Sequence, residues 1–128
     1  MTQAMGDLRT RVHAETVRQD IHETSRQLVA RLGMTATSYL AGVKDSKQSG
    51  KWSHAGGPEP RQEARERLLV AHRVWSMISA SESDYVARNW FIAANPRLEE
   101  RSPLEAIRSG DLTLVLAACD AFLDGTDG

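Results

Sequence analysis

Few side chains in this sequence could ligate a metal or attack an electrophile: His13, His22, His54, His72 and a single cysteine, Cys119. No two of these histidines stand at a spacing that would bring them together on one helical face as metal ligands, and no His-Glu-x-x-His run occurs. Cys119 falls on an apolar helical stripe, where a cysteine acts as a small core hydrophobe. Gly56 and Gly57 precede Pro58 and do not lie between a strand and a helix, so they do not form a phosphate-cradling loop. The adjacent carboxylates of Glu99 and Glu100 follow a loop and read as a solvated pair. These residues call for no metal, no cofactor and no catalysis, and an enzyme using Cys119 or a histidine is the weakest reading.

The frame that must position any site is short. At 128 residues and 14.1 kDa it has the length of one domain or of two small helical modules. An aromatic content of 5% argues against an all-β protein. No apolar run approaches the ~20 residues of a membrane span, and residues 1–11 lack the apolar core of a signal peptide. With one cysteine and no possible internal disulfide, the expected compartment is the cytosol. A net charge of -1 hides an asymmetry. Residues 44–73 hold seven Lys/Arg against four Asp/Glu, whereas residues 99–128 hold seven Asp/Glu against two Lys/Arg. Such opposed blocks suit two surfaces with different partners, or two solvated helical faces.

The apolar periodicity is helical throughout, and the expected fold class is all-α. Leu8, Val12, Val17 and Ile21 form one stripe over 7–22, and Leu28, Val29 and Leu32 form a second. The gap between them predicts a break, with Thr24 or Ser25 capping the second helix. Gly33 ends that helix. Thr35 is placed to cap a short helix through Val43, with Tyr39, Leu40 and Val43 facing inward. Ser46 is placed to cap another, ending at Trp52. The Gly- and Pro-rich stretch 54–60 is a loop. From 61 to 78, Ala64, Leu68, Ala71, Val74, Trp75 and Ile78 recur at helical spacing, with Glu63 and Arg67 paired across a turn. Ser79 to Ser81 punctuate, and Ser81 with Asp84 forms a capping box. Asn95-Pro96 stops that helix. Ser102-Pro103 reads as N-cap and first helical residue. Asp111 caps a last helix, buried along Leu112, Val115, Leu116, Cys119, Phe122 and Leu123 and ended by Gly125.

Residues 28–52 therefore read as helix, turn and helix. In the third short helix, Ser46, Lys47, Gln48, Ser49 and Lys51 are short polar or basic side chains suited to phosphates and base edges, with Trp52 turned into the domain. Arg61 and Arg65 could reach the backbone of a bound duplex. A solvated three-helix packing unit would produce the same pattern. Gly50 inside that helix costs about 1 kcal/mol relative to Ala, and lysines lack the bidentate fork of arginine.

Two parts of the chain resemble the Xre/MbcA/ParS group of antitoxins, the partners of RES-domain toxins. One runs from Arg31-Leu32-Gly33-Met34 through Asp45-Ser46 to Lys51-Trp52 and Gly56. The other comprises Asn89-Trp90-Phe91, Asn95-Pro96, Leu98, Arg101-Ser102-Pro103-Leu104-Glu105, Gly110 and the apolar helix ended by Gly125. The resemblance covers residues 26–125. It implies an Xre-like helix-turn-helix joined by a long helix to a small helical toxin-binding module. It also implies a cytoplasmic antitoxin that is not an enzyme. Its partner would be an NAD-degrading RES-domain toxin, bound by a homodimer within a hetero-oligomer, and in many family members promoter DNA as well. The corresponding partition is an N-terminal extension over 1–23, a helix-turn-helix module over 24–60, a connecting and dimerisation helix over 61–80, and a toxin-binding module over 81–128. Within that last module Asn95, Pro96, Arg101, Ser102, Glu105, Arg108 and Asp111 are the expected toxin contacts, and Leu104 and Phe122 are expected in the core. Removing the chain from about residue 102 onward is expected to leave the earlier helices folded. Val74, Trp75, Leu68 and Ile78 exceed what one thin helical layer easily covers, which suggests either self-association through the long helix or packing inside one subunit against Trp90 and Leu116. The competing reading is a stand-alone helix-turn-helix regulator whose C-terminal module only dimerises or binds a ligand.

Overall fold

The computed structural model describes residues 20–126. The expected helix over 7–22 lies almost wholly outside the described residues. Among those described, every regular element is helical: α1 (Ile21–Leu32), α2 (Met34–Ala41), α3 (Gln48–Trp52), α4 (Gln62–Ser81), α5 (Asp84–Ile92), a 3-10 turn (Pro96–Leu98), α6 (Pro103–Arg108) and α7 (Leu112–Leu123). The fold is all-α, and no helix among the described residues is long and apolar enough to cross a membrane.

α4 is the spine. Its buried residues are Ala64, Leu68, Ala71, Val74, Trp75 and Ile78, the same six that the sequence periodicity selects. Their three- and four-residue spacing gives α4 an apolar face that packs on α1, α2, α5, α6 and α7. Trp75 and Phe91 rings lie 6.0 Å apart, and Phe91 meets Trp90 edge-on at 5.5 Å. The apolar surplus on α4 is therefore covered within one chain, and the case for self-association through Leu68, Val74, Trp75 and Ile78 falls away.

α1 has no break. Thr24 and Ser25 do not cap a helix; both are fully buried inside it, and Asp20 is the N-cap, accepting a bond from the His22 N–H at 3.0 Å. Ile21, Thr24, Ser25, Leu28 and Leu32 share one helical face. The sequence gap is a lapse in hydrophobicity and not in geometry, because small hydroxyl residues occupy the face that packs on α3 and α4.

Other ends also move. α2 begins at Met34 behind Gly33, and Thr35 is exposed on it. Leu40 is buried, whereas Tyr39 is 40% exposed and does not face the core. α3 starts at Gln48 with Lys47, not Ser46, at the cap position. α4 runs through Ser79–Ser81, and Ser83 caps α5 by accepting from the Val86 N–H at 3.1 Å. Arg67 does not pair with Glu63; its Nε donates to the Ile107 carbonyl at 3.1 Å. Ser102 and Pro103 stand at N-cap and N1 of α6 as expected, and Gly125 lies just past the end of α7.

One continuous apolar cluster runs from Ile21 to Cys119, with Leu104 and Phe122 only partly buried at its edge. Ala106, Ile107, Val115, Ala118 and Cys119 are all at most 1% exposed. Deleting the chain from residue 102 would strip these from the core shared with α2 and α4, so the earlier helices would not survive that cut intact.

Candidate functional site

Two surfaces carry the residues singled out above. The first is the α2–α3 corner. The αL conformation of Gly42 (φ 91°) closes α2, and the chain turns through Val43–Lys47 into α3. A buried hydroxyl relay fixes the turn. Ser49 Oγ donates to the Met34 carbonyl at 2.8 Å, and Ser38 Oγ lies 2.8 Å from Ser49 Oγ while accepting the Ser49 N–H at 2.9 Å. Ser38 Oγ also lies 3.1 Å from the Ser46 carbonyl.

Ser49 is thus fully buried and holds α3 in place; it cannot reach a nucleic acid. Trp52 is 3% exposed and faces the core. Gln48 is half-buried. Ser46, Lys47 and Lys51 are exposed, as is Arg61 at the N-cap position of α4. Lys51 Nζ sits 3.6 Å from Asp45 Oδ2, so part of its charge is compensated within the turn. The surface offered outward is Ser46, Lys47, Lys51 and the edge of Gln48, on a helix of five residues.

The second surface is the C-terminal unit. Asn95 is 5% exposed and organises the loop between α5 and α6. Its Oδ1 accepts from the Arg97 N–H at 2.9 Å, its carbonyl accepts from Leu98 at 2.9 Å and Glu100 at 3.0 Å, and its N–H donates to the Arg101 carbonyl at 3.0 Å. Ser102 is 8% exposed and accepts the Glu105 N–H at 3.2 Å. Asn95 and Ser102 are therefore caps and not free contacts. Pro96 and Glu105 are exposed.

Three charged residues expected to reach outward are engaged inside the fold. Arg101 Nη1 binds Asp111 Oδ2 at 2.7 Å, and its Nε donates to the Leu98 carbonyl at 3.0 Å. The bond from Asp111 raises the pKa of the Arg101 guanidinium. Asp111 stands at the N-cap position of α7, but its side chain caps nothing there. Arg108 Nη1 donates to the Tyr39 carbonyl at 2.6 Å and the Val43 carbonyl at 3.2 Å, and its guanidinium stacks 4.5 Å from the Tyr39 ring centroid. This brings Tyr39, singled out as an inward residue, onto the seam between α2 and α6.

Sequence reasoning missed the outer face this leaves. Tyr85 (76% exposed) and Ile92 (55% exposed) lie seven residues apart on one side of α5. Glu99 and Glu100 both adopt positive φ (58° and 66°), a conformation rarely used by side chains of that size. Both are exposed at the loop tip. Tyr85 and Ile92 at seven-residue spacing read as a buried stripe, so their exposure had no sequence signal, nor had the inward turn of Arg101 and Arg108.

Cys119 is buried in the α7 stripe, and desolvation pushes its thiol up to about 11, away from thiolate chemistry at neutral pH. His72 is half-buried between α4 and α1, with Nε2 2.6 Å from Gln27 Oε1, and burial lowers its pKa. Glu23, bound by Arg26 and Gln27, is held down at about 2. Among the described residues, no group of three His, Cys, Asp or Glu side chains is placed to hold a metal ion. Compared with known proteins, the chain matches no family model, no curated protein and no solved structure.

Proposed function

We propose that this protein is an antitoxin that binds and blocks a RES-domain, NAD-degrading toxin through its C-terminal unit. The observation that carries the reading is the charge left on that unit's surface. Beyond the exposed Arg88 and Arg97 at its start, the unit's remaining two cations are turned inward, Arg101 onto Asp111 and Arg108 onto the α2–α3 corner. Glu99, Glu100, Glu105, Asp120 and Asp124 are all exposed. Such a face suits a cationic cleft built for a phosphorylated cofactor. The residues that carry the sequence resemblance also act together, since Asn95, Ser102 and Pro103 build the loop and helix start that present this face.

The test is co-expression and co-purification with a RES-domain toxin encoded beside this chain, followed by an NAD-hydrolysis assay. The expected result is a stable complex with hydrolysis suppressed. Replacing Glu99, Glu100 and Asp124 together by Lys should leave the fold's melting temperature nearly unchanged and release toxin activity. Full suppression by that triple variant would refute the assignment of the contact face.

A second reading, in which the α2–α3 corner is a helix-turn-helix that binds promoter DNA, is favoured by the exposed Lys47 and Lys51. Its three cations remain exposed: Lys47, Arg61 and Lys51, the last 3.6 Å from Asp45 Oδ2. Ser49 is lost to it. The DNA reading therefore stands as an accessory to partner binding.

A further inference from the structure

Gly50 interrupts α3, the shortest α-helix described, and the reason lies in α2. A Cβ added to Gly50 would stand 2.9 Å from the Met34 sulfur and 3.3 Å from its methyl carbon. The Met34 thioether thus lies directly on the bare backbone of α3. The same residue's carbonyl accepts the Ser49 hydroxyl, so Met34 holds α3 twice, once by its backbone and once by its side chain. Yet Met34 is 40% exposed. Met34 is thus a methionine of substantial exposure whose thioether also packs on a helix backbone.

We infer that Met34 is an oxidation-sensitive site whose conversion to the sulfoxide loosens α3. The oxidant is a peroxide. The thioether lone pair attacks one peroxide oxygen, an S–O bond forms as the O–O bond breaks, and water leaves with both peroxide protons. Sulfur loses two electrons and the peroxide gains them. A dithiol-dependent sulfoxide reductase reverses the step, giving thioether, disulfide and water. The sulfoxide oxygen needs a donor or water. The neighbouring amides offer none, since Ser49 N–H donates to Ser38 Oγ and Gly50 N–H to the Lys47 carbonyl. The oxidised side chain therefore turns out to solvent, and α3 loses its cover. A five-residue helix has little stability of its own. The inference stands on α2–α3 packing alone and holds whatever partner the corner serves.

The experiment treats the full chain with hydrogen peroxide and follows each methionine by peptide mass spectrometry and each segment by hydrogen exchange. Met34 should convert several-fold faster than the partly buried Met77. Exchange over residues 48–53 should rise several-fold as Met34 converts and return after reductase treatment. Met34→Leu, which keeps the apolar cover and every other methionine, should show no such rise. Met34→Gln, which places a polar group there without oxidant, should show it before treatment. Conversion of Met34 no faster than Met77 would overturn the inference. So would unchanged exchange in the oxidised protein, or an equal rise in Met34→Leu.

Discussion

Arg108, a toxin contact on the sequence reading, should be worth measurable stability on the structure. Its guanidinium makes two bonds to main-chain carbonyls, at 2.6 Å to Tyr39 and 3.2 Å to Val43, and stacks on the Tyr39 ring. Hydrogen bonds from a charged donor contribute about 1.5–3 kcal/mol each when sheltered. Arg108 is only half-buried, and water can replace part of both bonds, so about 1 kcal/mol for the pair of bonds beyond hydration is a fair lower bound. Stacking at a partly exposed site adds about 0.5–1 kcal/mol. Arg108→Ala should therefore cost about 2 kcal/mol, a large part of the ~5–15 kcal/mol typical of a domain. Urea unfolding followed by circular dichroism reads this directly, as a lowered midpoint at unchanged slope. Arg108→Lys keeps the charge but loses the planar stack and the fork, and should fall about midway. A double-mutant cycle with Tyr39→Ala should return a coupling of about 0.5–1 kcal/mol. If Arg108→Ala stays within about 0.5 kcal/mol of the parent protein, the clamp contributes nothing and Arg108 returns to the list of free contact residues.

Ser49→Ala removes the hydroxyl bond to the Met34 carbonyl, while Ser38 Oγ keeps the Ser46 carbonyl and the residue-49 N–H, and should cost about 0.5–1.5 kcal/mol, read in the same unfolding assay; a neutral result would show the relay to be dispensable. His72 has a folded-state pKa below its ordinary value of 6.5 because burial disfavours its charged form. On acidification the unfolded chain takes up that proton first, so stability should fall as pH drops below about 6.5, and His72→Gln should flatten the melting-temperature profile between about pH 7 and 5.5. An identical slope in the variant would assign the acid sensitivity to other groups. In a gel shift on the upstream DNA, replacing Lys47 and Lys51 together should weaken binding to all sequences and shallow the salt dependence; no preference over random duplex in the parent protein would dismiss the DNA reading.

The long helix and the start of α6 were legible because their signals are local and redundant. Six apolar residues at helical spacing wrote the buried face of α4, and Ser102-Pro103 wrote the entry to α6. A break in α1 follows only if burial is equated with hydrophobicity, and Thr24 and Ser25 are hydroxyl residues fully buried inside the helix. Ser49 was misassigned for the converse reason: a serine on a polar helix looks outward, and only the distant partners Met34 and Ser38 turn it in. The pairing of Arg67 with Ile107 and of Arg108 with Tyr39 spans 40 and 69 residues, a range over which sequence spacing carries no information.

Those two arginines have a mechanical consequence. They cross the seam in opposite directions, Arg67 from the spine to the end of α6 and Arg108 from α6 to the end of α2. A shift of α6 would bear on the carbonyl bonds that Arg108 makes at Tyr39 and Val43, where the turn into α3 begins. The two ends of the molecule then share one free energy. A partner that favoured one arrangement of α6 would alter the affinity of the α2–α3 corner for any ligand bound there by some factor, and that ligand would alter the partner's affinity by the same factor.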